Sequence, residues 1–169
     1  MQNGSESLKC PFTSRNVKGQ EYDVLVAIDQ SENALKVAEY VGKMMRSHPT
    51  VRVTILNIIR PPSPDIMPDR EERLIYVEKK RSDVNALINK ARGILMSFGI
   101  PETQIFTKIQ VCEEPVSVAD QILHEKRECG YGTIVVGKRG MSKKEEFLFG
   151  SVSRKIVREC QKSAVWVVV

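Results

Sequence analysis

Short apolar runs of strand length alternate with longer stretches of helical period along most of the chain, and no other feature limits the fold as tightly. The first run, YDVLVAID, is continuously apolar from Val24 to Ile28. A strand without polar alternation must be covered on both faces, as in a parallel sheet flanked by helices. Behind it Ala34, Leu35, Ala38, Val41, Met44 and Met45 recur at helical spacing until His48-Pro49 ends the run. Residues 51–59, VRVTILNII, are rich in β-branched side chains and predict a second strand. The following RPPSPDIMPD carries four prolines in ten residues, which excludes both a regular helix and a central strand. From about Glu71 the stripe Leu74, Val77, Val84, Ile88, Ala91, Leu95 and Phe98 predicts a long helix, stopped by Gly99 and Pro101.

Residues 104–111, QIFTKIQV, alternate loosely and predict a third strand near a sheet edge. Pro115 can open the next helix at its first turn, with Val118, Ala119, Ile122 and Leu123 inward and Gly130 beyond its end. GTIVVG predicts a fourth buried strand. A last helix from Gly150-Ser151 would bury Val152, Ile156 and Cys160, and AVWVVV is a fifth strand ending at Val169. Strand and helix repeated four times, plus a terminal strand, predict an α/β fold: one open, doubly wound, five-stranded parallel sheet with right-handed crossovers. Residues 1–20 are polar and aperiodic and read as a flexible tail, leaving residues 21–169 as a single domain.

Composition narrows the classes of function. A chain of 169 residues, 41% apolar and 28% charged, is long enough to build a core without metal or disulfide. Nothing approaches 18 consecutive apolar residues, which argues against a membrane span. The opening twenty residues contain no apolar run of the secretory kind, so the expected location is cytoplasmic. Cys10, Cys112, Cys129 and Cys160 are widely spaced with no CxxC pair, and are expected to be free thiols in a reducing compartment. The net charge of +5 favours anionic partners. It is spread among acidic residues and lacks an aromatic stacking platform, which speaks against nucleic acid.

Ligands of open parallel sheets gather at the C-terminal strand ends where the winding reverses. Asp29 ends the first strand and Gly137 the fourth. From Gly137 to Ser151 runs a loop with glycines at 137, 140 and 150, and Lys138, Arg139, Lys143 and Lys144 lie close by in sequence. Glycines admit close backbone approach, and the N–H groups that open a helix attract an anion, so phosphate suits this segment. The same residues also fit a surface loop whose glycines serve only turns. Asp29 likewise reads either as a turn or capping residue, or as an acceptor for a nucleoside or a ligand for a phosphate-borne metal. No GxGxxG follows the first strand, and GxxxxGK[ST] and GxSxG are missing.

The segment VVGKRGMSKKEEFLFGSVSRKIV resembles the signature of the universal stress protein family in its nucleotide-binding branch: Gly137, two residues, Gly140, nine residues, then Gly150-Ser151. VLVAID and AVWVVV resemble the family too, and the likeness covers residues 21–169. It implies a Rossmann-like sheet of order 3-2-1-4-5 binding ATP, or AMP or ADP, with magnesium admissible on the phosphates. Asp29 would contact the nucleoside, the backbone near Ile58 the adenine edge, Gly137 and Gly140 the ribose and phosphates, and Gly150 with Ser151 the phosphates. The resemblance further implies a homodimer through the last strand, residues 165–169. After the third strand the chain reads Cys112, Glu113, Glu114, Pro115, where the family often has a glycine followed closely by proline. The function expected is that of an adenine-nucleotide-binding regulatory or stress protein. The alternative is a slow ATP hydrolase or phosphoryl-transfer enzyme, for which the sequence offers no evident general base.

Overall fold

A computed structural model of the chain describes residues 10, 23–31, 33–112, 115–138 and 150–169. Five strands, β1 (Asp23–Ala27), β2 (Arg52–Ile59), β3 (Ile105–Val111), β4 (Thr133–Gly137) and β5 (Ala164–Val168), form one sheet. It is parallel throughout, in the order β3-β2-β1-β4-β5. Four helices, α1 (Asn33–Met45), α2 (Arg70–Ser97), α3 (Val118–Cys129) and α4 (Ser151–Glu159), make the crossovers. This is the doubly wound, Rossmann-like arrangement expected.

Alternation along the strands splits the core in two. Val24 and Val26 of β1, Val53 and Ile55 of β2 and Val135 of β4 pack under α1 and α2. Leu25, Leu56, Ile134 and Val136 pack on the opposite face under α3 and α4. Each central strand is thus apolar at consecutive positions because both faces are covered. β3 is an edge strand, which explains its mixed pattern, and β5 is the other edge. Trp166 of β5 meets Tyr40 of α1 edge to face, with ring centroids 5.9 Å apart.

Local chemistry sets the helix ends. Asp69 caps α2 by accepting from the amides of Glu71 and Glu72. At its other end Ile100 N–H bonds to Leu95 O and Gly99 N–H to Met96 O, a Schellman motif that needs Gly99 at φ +90°. The inward stripe holds for Val77, Val84, Ile88, Ala91 and Leu95. Leu74 departs from expectation, because it is 57% exposed: the first turns of α2 run beside the proline-rich segment rather than over the sheet. Pro115 likewise does not open α3. Ser117 does, accepting from the Asp120 amide while the Asp120 carboxylate accepts from the Ser117 amide.

Two buried polar groupings were not legible in the sequence. Glu125 of α3 is 2% exposed, its carboxylate receiving Lys108 Nζ at 2.7 Å and Gln110 Nε2 at 2.8 Å. On the same face, at the sheet's N-terminal end, Arg52 binds the buried Asp23 carboxylate. The expectation of four free thiols is corrected. Cys10 and Cys129 form a disulfide across 119 residues of sequence, whereas Cys112 and Cys160 are free. Spacing along the chain carries no information about such a pair, since folding alone brings its Cα atoms to 5.4 Å.

Two glycines on helices test the packing in opposite directions. A Cβ on Gly42 of α1 would sit 2.4 Å from Cδ2 and 2.9 Å from Cγ of Phe98, whereas one on Gly93 of α2 would meet nothing within 4 Å. Gly93→Ala should therefore stabilise the fold by about 0.5–1 kcal/mol through helix propensity. Gly42→Ala should destabilise it by about 1–2 kcal/mol, because displacing the Phe98 ring outweighs the same propensity gain. Urea denaturation of both variants measures the two signs, and a stabilised Gly42→Ala would refute the close contact of α1 with the end of α2.

Candidate functional site

The winding reverses between β1 and β4. After β1 the chain passes to α1 on one face of the sheet, and α4, the helix following β4, lies on the other. The crevice between their C-terminal ends holds a cavity of about 460 Å³, a size suited to a small-molecule ligand. Ala27, Leu56, Ile58, Val118, Ile122 and Val136 give it an apolar interior, and Asp29, Arg60, Ser117, Ser151 and Lys155 give it polar walls.

Several short bonds position these groups. The Asn57 side chain, 3% exposed, donates to Ile28 O at 2.8 Å, and Ile28 N–H bonds to Leu56 O. The end of β1 is thereby tied to β2 just where Asp29 begins a turn. Asp29 Oδ1 accepts from Ser31 N–H at 3.0 Å, closing that turn. Asn33 Nδ2, in the first turn of α1, donates to Lys138 O at 2.9 Å and anchors the exit of β4. Gly137 is closely covered: a Cβ there would lie 3.1 Å from Val37 Cγ2. Gly150 is the N-cap of α4 and provides no side-chain cap, while Ser153 Oγ donates back to Gly150 O.

Of the six residues expected to form the site, Asp29, Ile58, Gly137, Gly150 and Ser151 all line this one cavity. Gly140 lies outside the described residues, as do Arg139, Lys143, Lys144, Glu113 and Glu114. Neither histidine is among the described lining residues. Sequence reasoning missed several of the lining residues, Arg60, Ser117 and Lys155 among them. Arg60 follows β2 directly, Ser117 caps α3, and Lys155 stands four residues after Ser151 and hence on the same face of α4.

Lys155 is bound to Asp120. Its Nζ lies 2.7 Å from Oδ1 and 2.8 Å from Oδ2, and Ser117 Oγ donates to Oδ2 at 2.5 Å. These hydrogen bonds, first that of Lys155 and then that of Ser117, hold the Asp120 carboxyl at about 2, below its ordinary 3.8. Burial acts the other way on Cys112 at the end of β3, raising its thiol, with the nearby Arg60 lowering it in part.

The chain is an α/β protein whose cavity sits at the switch point of an open parallel sheet. It belongs to the universal stress protein family, whose model matches residues 22–168. Solved structures share the fold. The hypothetical protein MJ0577 superposes with a TM-score of 0.70 at 20% identity, over 88% of this chain and 95% of that one. A universal stress protein in complex with cAMP gives 0.59 at 20% identity, over 86% and 94%. The Archaeoglobus fulgidus universal stress protein in complex with dAMP gives 0.56 at 18% identity, over 87% and 97%. No curated protein sequence matches the chain.

The depressed Asp120 value fixes the sign of a pH effect. A carboxyl lowered on folding adds stability that is complete above the unfolded value and lost as pH falls toward the folded one. The stability difference between wild type and Asp120→Asn should be constant above about pH 5 and shrink between about pH 4 and 2. Urea midpoints measured across that range check it, and a difference unchanged down to pH 2 would show that the ion pair does not form.

Proposed function

We propose that the chain binds an adenine nucleotide in the cavity between β1 and β4 and acts as a regulatory protein of its family, with occupancy as the signal. The observation that carries the reading is the convergence of Asp29, Ile58, Gly137, Gly150 and Ser151, far apart in sequence, on one cavity of about 460 Å³. The apolar floor fits a purine, Asp29 offers an acceptor to the ribose, and the amides that open α4 face the place where phosphates would lie. Relatives of the same fold in complex with cAMP and dAMP support the ligand class. ATP is the form we expect from the Gly137–Gly140–Gly150-Ser151 spacing, with AMP and ADP as competitors. Magnesium arriving on the phosphates would keep phosphate and water ligands, since no group of three acidic, His or Cys side chains suited to a metal occurs among the described residues. The described cavity walls hold one carboxylate, Asp29, and offer no specific support for hydrolysis. No helix among the described residues is long and apolar enough to cross a membrane.

ATP, ADP or AMP should raise the melting temperature in proportion to its binding. Gly150→Val should abolish that shift by placing bulk on the cavity wall, with the core left folded. Calorimetry at millimolar nucleotide checks both, and folded wild-type protein that binds none of the three would remove the reading.

We also infer that β5 forms a two-fold homodimer interface. β5 is a sheet edge, and it contains no charge or proline to discourage pairing. Ala164 N–H bonds to Gly132 O and Val168 O accepts from Lys138 N–H, so by alternation the amides of Val165 and Val167 point away from β4. Antiparallel pairing of two such edges closes the assembly. Val167→Pro removes an outward donor while sparing the bonds to β4. Sedimentation should show a wild-type dimer and a variant shifted toward monomer; a wild-type monomer at tens of micromolar, or a folded variant that dimerises as tightly, rejects the interface.

A further inference from the structure

Lys155 combines two properties. It lines the cavity beside Gly150, Ser151 and Ser153, yet its ammonium is turned onto Asp120, which is not among the lining residues. The side chain is 31% exposed and so has room to move.

The two partners are not equally bound. Asp120 is held by its own helix: the amide and hydroxyl of Ser117 both donate to its carboxylate, and its amide donates to Ser117 Oγ. Those bonds, made within the first turn of α3, persist whether or not the lysine is present. Lys155 is a flexible four-carbon arm that meets the same carboxylate only with its terminal ammonium. When the pair opens, Asp120 keeps donors and Lys155 is released. Helical side chains also lean toward the N-terminus, so the Lys155 stem runs back along the start of α4. A cation there is disfavoured by the positive ends of α3 and α4, which is why it needs a counter-ion at rest. An anion entering beside Gly150 would supply another.

We propose that Lys155 is the residue by which the cavity selects phosphorylated nucleotide over nucleoside, parked on Asp120 in the empty site and transferred to the phosphate chain on binding. The proposal rests on the adenine-nucleotide reading of the cavity and adds to it a specificity residue with a resting clamp. Asp120 then acts against binding: it competes with the ligand for the same ammonium.

The test compares the Kd of adenosine with those of AMP and ATP by calorimetry, so that each variant carries its own control for folding. Lys155→Met should weaken AMP and ATP about tenfold or more while leaving adenosine unchanged, and should flatten the salt dependence of nucleotide binding. Lys155→Gln serves the same comparison where methionine unfolds the protein, and Lys155→Arg should restore selection. Asp120→Asn should tighten AMP and ATP several-fold, and the gain should vanish in Asp120→Asn/Lys155→Met, which separates release of the lysine from mere removal of a negative charge. If adenosine binds but the adenosine-to-AMP ratio is the same in wild type and Lys155→Met, the proposal is wrong and the nucleotide reading stands. A tightening that survives in the double variant overturns the clamp. Wild-type protein that binds neither adenosine nor its phosphates overturns both.

Discussion

Five strands running in one direction leave every connection to a helix, and the face on which each helix lies determines where a cavity can open. α1 and α2 cover one face through Val24, Val53 and Val135, and α3 and α4 cover the other through Leu25, Leu56 and Ile134. β1 and β4 are hydrogen-bonded neighbours whose following helices lie on opposite sides. The backbone therefore parts at Ala27 and Gly137, and none of the described side chains fills the gap. The position of the cavity is a consequence of how the two apolar faces are covered.

Rigidity at that parting comes from a few polar groups that are buried and paired. Asn57 sits in a central strand, where an unpartnered amide would be costly, and binds Ile28 O. That bond holds the carbonyl just beyond β1 in place and hands Asp29 a fixed starting point. Asn33 does the same for Lys138 from the other side. At the N-terminal end of the sheet the buried pairs Asp23–Arg52 and Tyr131–Thr54 secure strand register far from the cavity. Tyr131 is buried enough for its hydroxyl to be pushed well above its ordinary value, so it remains a neutral donor to Thr54. A cavity whose walls are fixed before a ligand arrives loses less on binding.

Sequence alone located the strands because Val24 to Ile28 and Ile134 to Val136 are apolar at consecutive positions, a pattern that two covered faces explain. It located the glycines and Asp29 because strand ends and helix starts have recognisable punctuation. What it missed depends on contacts between elements distant in the chain. Nothing in the sequence around Glu125 marks it as buried; it is buried because Lys108 and Gln110 of β3 meet it, and burying a charge requires such partners. Leu74 fits a helical stripe by period, but period does not say where the sheet ends beneath the helix. Lys155 was invisible for the same reason: only the approach of α3 to α4 gives it Asp120 and a place on the cavity wall. The Ser117–Asp120 spacing was readable as a capping box, and Pro115 drew the helix start three residues too early.

The two helix starts on the cavity wall differ in kind. α3 begins with Ser117 and Asp120 bonded reciprocally, which satisfies its leading amides from within. α4 begins after Gly150, which has no side chain to cap the first amides, and Ser153 turns its hydroxyl to the Gly150 carbonyl. A serine or aspartate at position 150 would stabilise α4 locally, typically by about a few tenths of a kcal/mol over glycine. It would also occupy the donors that face the cavity. A side-chain cap and an open N-cap position are alternatives at a helix start, and the chain adopts the first at α3 and the second at α4. Placing the capped start beside the uncapped one has a further effect, because the same Asp120 that completes the α3 box also restrains Lys155 across the gap. The electrostatics of the uncapped end are thus set by the neighbour that has its cap.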